Sequence, residues 1–298
     1  MFFIQYYPYM KGIENMKKII LSDKHIKKFK NILIAEEKSK ATIEKYIRDI
    51  NIFYCYLPES KAITKENVIQ YKEYLNENYK PTSANSMLVA LNRFLEFLGM
   101  SECKVKLSKI QKQTFGDENK ELTKEEYRRL TLAAKSNSNV RLYMLLQTIC
   151  ATGIRVSEHK YISVEALRAG KAIITNKGKI REIFIPKELQ SLLKDYCRKN
   201  DIKSGPIFIT RTGKPLDRSN IWSDMKALCE EANVDHSKVF PHNLRHLFAI
   251  TYYRLTKDLD TLASLLGHST IETTRIYTRK SSKNCTKVFS KMQLCLRM

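Results

Sequence analysis

Two arginines, two histidines and one tyrosine in this chain are the groups needed to attack a phosphodiester without a metal ion. His242 and Arg245 stand in Pro241-His242-Asn243-Leu244-Arg245, and His268 stands in Leu266-Gly267-His268. Tyr277 follows Thr273-Thr274-Arg275-Ile276, and Arg155 lies far upstream in Ala151-Thr152-Gly153-Ile154-Arg155. In-line displacement at phosphorus builds negative charge on the non-bridging oxygens. A guanidinium fork bonds two such oxygens at once and stays charged at any working pH. A phenol has a pKa near ~10, so as a nucleophile it needs adjacent positive charge and a base. Each pattern alone is ordinary: an arginine past a helix end is commonly a surface residue, His268 beside Gly267 a helix-end cation, and Tyr277 one of 16 tyrosines. Their joint order and spacing carry the reading.

These side chains need elements to bring them together. Val140 to Thr152 is apolar on most sides (Leu142, Met144, Leu145, Leu146, Ile149), which predicts a central helix ending near Gly153 and turning Arg155 toward a cleft. His242 and Arg245, three apart, share one face of a helix over about 241–255. Ala172-Ile173-Ile174-Thr175, Asn176-Lys177-Gly178-Lys179 and Ile180 to Ile185 read as a β-hairpin with a short basic turn. Other helices are expected over about 187–199, 217–232 and 258–266, with Gly267 as a C-cap, and a capping box at Thr123-Lys124-Glu125-Glu126 starts another. Upstream, apolar stripes at Ile26/Phe29/Ile32/Leu33, Ile43/Tyr46/Ile47/Ile50/Tyr54, Val68/Tyr71/Leu75 and Met87/Ala90/Leu91/Phe94/Leu98 predict a four-helix, lysine-rich bundle, the last helix ending at Gly99.

The resulting organisation is an N-terminal extension over 1–20, a helical domain over 21–105, a linker over 106–121 and a second domain over 122–298. Residues 1–15 read as a loose extension, since Met16 is as good a start as Met1. The formal charge of +22 points to a polyanionic partner, phosphates first and anionic membrane second. No apolar run is long enough to span a membrane, and the N-terminus does not read as a signal peptide. Seven scattered cysteines, never spaced C-x-x-C, argue for a reducing cytosol and against a disulfide framework or zinc site. Asp258, Asp260 and Glu272 lack a convincing metal-ligand spacing, and no phosphate-cradling glycine loop occurs, so neither metal nor ATP nor any other cofactor is expected.

The set Ala151-Thr-Gly-Ile-Arg-Val-Ser-Glu158, the hairpin lysine in Asn176-Lys-Gly-Lys179, His242-Asn-Leu-Arg-His246, Leu266-Gly-His268 and a tyrosine nine residues later resembles the tyrosine recombinases of the phage integrase family, of the small two-domain Xer-like kind. The resemblance covers about 21–290. It implies a mainly α fold with a small β-hairpin: a helical, SAM-like core-binding domain and an α+β catalytic domain, together a C-shaped clamp on double-stranded DNA. It implies site-specific recombination through a 3′-phosphotyrosyl intermediate on Tyr277. Arg155, Arg245, His242 and His268 would bind and activate the scissile phosphate, Lys177 would be the general acid, and Glu158 would support the site from the side. Lys179 flanks the same glycine and stays open as the acid. His246 is expected on another side of the helix from Arg245, in the core or behind the site, and His159 outside it.

The apolar tail over about 286–298 packs either in cis or, as relatives do, into a neighbouring subunit, giving a tetramer on paired sites. Accessory DNA-bending proteins are compatible with this. The competing functions are type IB topoisomerase-like relaxation, which uses the same residues, and a non-catalytic DNA-binding role. Two-domain length and the tail favour strand exchange over the first, and the placed tyrosine argues against the second.

Overall fold

In the computed structural model, residues 19–110, 120–176 and 179–278 are described. The chain divides into two compact units, Met1–Lys112 and Gln113–Met298. In the first, four helices follow in sequence: α1 (Asp23–Ala35), α2 (Lys40–Tyr56), α3 (Lys65–Asn78) and α4 (Pro81–Phe97). Their starts are local chemistry. The Ser39 hydroxyl accepts the Thr42 N–H at 3.2 Å, Thr64 does the same for Asn67 at 3.2 Å, and Pro81 stands in the first turn of α4. The four expected stripes face inward, with Phe29, Tyr71 and Phe94 fully buried together with Phe53, except that Ile32, at the edge of the α1 stripe, is exposed. Gly99 follows α4 with a φ of +71°. A short antiparallel pairing of β1 (Ile19–Ile20) with β2 (Ala62–Ile63) was not expected, two residues being too few to show strand alternation. Beyond α4 the chain stays tied to the bundle. Asn92 exchanges two hydrogen bonds with the backbone of Val105 (2.8 and 3.0 Å), and Asn85 two with that of Ser108 (2.8 and 2.9 Å).

The second unit is built around α6 (Val140–Thr152), buried on most sides and packed against α5 (Lys124–Ser136), α8 (Lys187–Lys199), α9 (Arg218–Ala227) and α10 (Pro241–Thr256). The capping box forms at the start of α5: Glu126 N–H donates to Thr123 Oγ1 (3.1 Å) and Thr123 N–H to Glu126 Oε2 (2.8 Å). After α6 come a 3-10 helix (Val156–Tyr161) and α7 (Val164–Ala169), both unforeseen because they are too short to show a period. The hairpin is β3 (Lys171–Asn176) paired antiparallel with β4 (Lys179–Phe184) in the register Asn176↔Lys179 and Lys171↔Phe184. Helix α9 ends five residues before the expected 232. There, Arg129 of α5 donates to the carbonyls of Ala232 and Asn233 (2.8 and 3.0 Å), and Asn233 turns left-handed at φ +48°. Helix α11 (Leu259–Leu266) and two 3-10 turns, Ile271–Thr273 and Arg275–Thr278, complete the described chain.

Candidate active site

Helix α6 stops at Gly153, left-handed at φ +65°, where a Cβ would overlap the ring of Phe248 on α10. Glycine is required twice over, by conformation and by space. The chain then turns, and Arg155 becomes the N-cap of the 3-10 helix that carries Glu158. Glu158 is buried and accepts four hydrogen bonds. Arg155 contributes its own N–H (2.6 Å) and Nη1 (3.0 Å), and Arg181 of β4 contributes Nη1 (3.1 Å) and Nη2 (2.7 Å). Burial raises the Glu158 carboxyl, but the Arg155 N–H and the two guanidiniums outweigh it and hold it below the usual carboxylate range.

Arg245, three residues beyond His242 on α10, is 1% exposed. Its Nη1 donates to the Gly153 carbonyl (2.7 Å) and its Nη2 to the Leu266 carbonyl (2.5 Å). Those carbonyls end α6 and α11, so the negative ends of two helix dipoles offset the cost of burying the cation. Even so, burial and the nearby Arg155 and Arg181 pull its pKa down to about 10. Arg245 Nη2 also meets His268 Nε2 at 3.3 Å, and His268 Nδ1 meets the buried Thr274 Oγ1 at 2.9 Å. Arginine only donates, so Nε2 is the acceptor and the ring is a neutral imidazole protonated at Nδ1. Burial, with Arg245, Arg155 and Arg181 around it, brings the His268 pKa to about 4.

Tyr277 is 5% exposed on the last 3-10 turn, packed in a small core with Ala249, Leu262 and Leu266. Its ring stacks on His268 (centroids 6.3 Å, planes 14° apart). Burial raises the phenol pKa, and the positive charges of Arg245 and Arg155 oppose that. His246 stands 5.0 Å from the same ring and its Nε2 is 3.4 Å from Glu121 Oε1. His246 is thus packed behind the site, as expected of a residue on another side of the helix from Arg245, and the turn bearing Tyr277 folds back over α10 to meet it. His242, Arg155 and Arg245 line one cleft of about 700 Å³ with Arg218 and Trp222. The His242 ring is open to this cleft, yet the surrounding protein and then Arg245 push its pKa below the ordinary value.

Arg155, Glu158, Arg245, His268 and Tyr277 are therefore in one constellation, with His242 in the cleft beside it. Lys177 lies outside the described residues. His159 is buried away from the cluster, its Nδ1 2.5 Å from the Val156 carbonyl. Sequence reasoning missed Arg181, although its place gives a signal: on β4 it shares the inward face with the buried Ile183 and Ile185. Three guanidiniums against one carboxylate leave the cluster with a surplus of two positive charges, the electrostatics of an anion site.

Comparison with known proteins bears on family and fold. Residues 120–284 match the phage integrase family and residues 26–101 the phage integrase N-terminal SAM-like domain. The chain is 30% identical over 290 residues to tyrosine recombinase XerA of Pyrococcus furiosus, covering 94% of this chain and 97% of that protein. Its fold is similar to XerH site-specific recombinase bound to a palindromic difH substrate (TM-score 0.69, 18% identity, 90% of this chain and 84% of that one). It is also similar to a lambda integrase tetramer bound to a Holliday junction (TM-score 0.70, 17% identity, 90% and 79%). With the family matched over more than half its length and a curated tyrosine recombinase aligned from end to end, this chain is a member of the phage integrase family, a tyrosine recombinase.

Proposed function

We propose that this recombinase cuts and rejoins DNA at specific sites with Tyr277 as nucleophile. The phenolic oxygen attacks the scissile phosphorus, a 3′-phosphotyrosyl bond forms, and the bond to the 5′ oxygen breaks. The phenol's proton passes to a neighbouring imidazole, and the 5′ oxygen leaves with a proton supplied by Lys177 on the hairpin turn, or by Lys179. Attack by the 5′-hydroxyl of a second strand reverses these steps and regenerates Tyr277. The energy of the broken linkage is kept in the ester, so no ATP is consumed.

The convergence of Tyr277, Arg155, Arg245 and His268 carries this reading. Arg155 and His242 face the cleft and would take the non-bridging oxygens. Arg245, with two of its N–H groups held by helix ends, would present its remaining edge to the same phosphate. Neutral His268 has an Nδ1–H committed to Thr274, so Nε2, which accepts from Arg245 at 3.3 Å, is the atom that would exchange a proton once that contact gives way.

Double-stranded DNA is the partner that the +22 charge and DNA-bound relatives support. A tetramer on paired sites is the assembly, by likeness to the lambda integrase tetramer on its junction. We place the enzyme in the cytoplasm, and among the described residues no helix is long and apolar enough to cross a membrane. A nicked suicide substrate tests the chemistry: wild type becomes covalently attached and Tyr277→Phe does not. Equal trapping of both would end the assignment. Supercoil relaxation against two-site recombination separates strand exchange from topoisomerase-like relaxation.

A further inference from the structure

We infer that Arg181 is a positioning residue for the cleavage step, acting through Glu158 to keep the Arg155 fork turned toward the phosphate. The inference rests on the reading above, in which Arg155 grips the scissile phosphate.

The argument starts from a competition. Glu158 is a buried carboxylate three residues from Arg155 and already receives Arg155 N–H and Nη1. With no other cation at hand, a buried carboxylate would draw both prongs of the nearest guanidinium into a bidentate pair, the strongest arrangement open to the two groups. Arg155 would then be turned inward, away from the cleft. Arg181 prevents this by occupying Glu158 from the opposite side with its own fork, Nη1 to Oε1 and Nη2 to Oε2. Arg155 keeps one prong on Glu158, and its Nη2 reaches toward the Gly267 carbonyl at 3.4 Å, at the limit of a hydrogen bond. That prong is held weakly enough to be redirected to an incoming phosphate oxygen.

The surroundings fit such a role. The Arg181 side chain is 11% exposed, so it is not a general phosphate contact. It passes beside Gly267, where an added Cβ would lie 2.6 Å from Nη1 and 2.9 Å from Cδ, so the glycine preceding His268 leaves the channel the side chain needs. Its Nε–H is buried with no hydrogen-bond partner among the described residues. A group placed for structure alone would be expected to have that donor satisfied. Arg181 thus joins the hairpin, the Arg155 turn and the Gly267-His268 turn at one point.

The test uses the full-length protein on suicide substrates carrying either a normal scissile phosphate or a neutral methylphosphonate. Removing the phosphate's charge should relieve a defect in arginine neutralisation and leave other defects untouched. Expected for R181A is a loss of about 100-fold in single-turnover attachment on phosphate, with DNA affinity within about fivefold of wild type. On methylphosphonate, R181A should regain attachment by the same factor as R155A, and R155A/R181A should be no slower than R155A. R181K should stay at least tenfold impaired, since an ammonium does not bond both carboxylate oxygens in parallel. If R181A unfolds, R181K carries the same comparison. Losses that multiply in the double variant, or no relief on the neutral substrate, overturn the inference. Wild type that fails to attach to the normal substrate would instead sink the tyrosine mechanism itself, so the two failures are distinguishable.

Discussion

His268 shows how burial and then three arginines set the behaviour of one side chain. A neutral imidazole is needed for Nε2 to accept from Arg245, and the folded protein resists protonating it until about pH 4, against an ordinary value of 6.5. The unfolded chain takes up this proton first as pH falls. The stability that His268 contributes is therefore present above about 6.5 and is lost as pH drops toward 4. Melting temperature against pH should fall more steeply across this window for wild type than for His268→Gln, whose amide still accepts from Arg245 and donates to Thr274. Parallel curves would contradict the neutral assignment. Glu158 tests the other sign. Glu158→Gln leaves the buried Arg181 without a counter-charge and should cost about 3–5 kcal/mol in urea unfolding. Added sulfate should recover part of that loss if the cluster is an anion site.

Element ends matter more here than element middles. Gly153, Gly267 and the carbonyls of α6 and α11 place the arginines, and the helix bodies mainly supply core. Gly153→Ala would meet both a left-handed backbone and the Phe248 ring, so a loss of about 2–4 kcal/mol is expected in thermal unfolding, with Arg155 displaced and attachment slowed accordingly. Long elements were legible in the sequence because period and caps agree: α6 spans the expected Val140 to Thr152, and Thr123/Glu126 form their capping box. The short ones were not. The 3-10 helix Val156–Tyr161 and α7 have too few residues to show a period. After Ala227 the backbone of α9 tightens to i→i−3 bonds at Leu228 and Cys229, with Arg129, distant in sequence, holding the carbonyls of Ala232 and Asn233 where the helix was expected to end. In the site, the family's spaced motifs led to Arg155, Arg245, His268 and Tyr277. Strand alternation with Ile183 and Ile185 marks Arg181 as inward-facing, but its pairing with Glu158 and the His246–Tyr277 contact depend on long-range packing and chain reversal, which no local pattern encodes.

For the whole molecule, the charge is the dominant fact. A surplus of +22 should make duplex binding fall on the order of 10³-fold or more between about 50 and 200 mM salt, with a slope near ~0.9 per phosphate contacted. A flat salt response in a binding titration would contradict a phosphate-led grip. Assembly is a separate matter. The tail over 286–298 lies outside the described residues, and we propose that it docks in trans. Its deletion should then leave duplex affinity unchanged and reduce two-site recombination, and full recombination without it would refute the proposal. One consequence follows from Arg245, whose guanidinium ties the last turns of α6 and α11 while belonging to the active cluster. Its loss should break architecture together with chemistry, whereas exchanging the tyrosine for phenylalanine removes a single oxygen from a ring that stays packed. In a lineage where such an enzyme decays into a folded, DNA-holding relic, the nucleophile should vanish long before this arginine does.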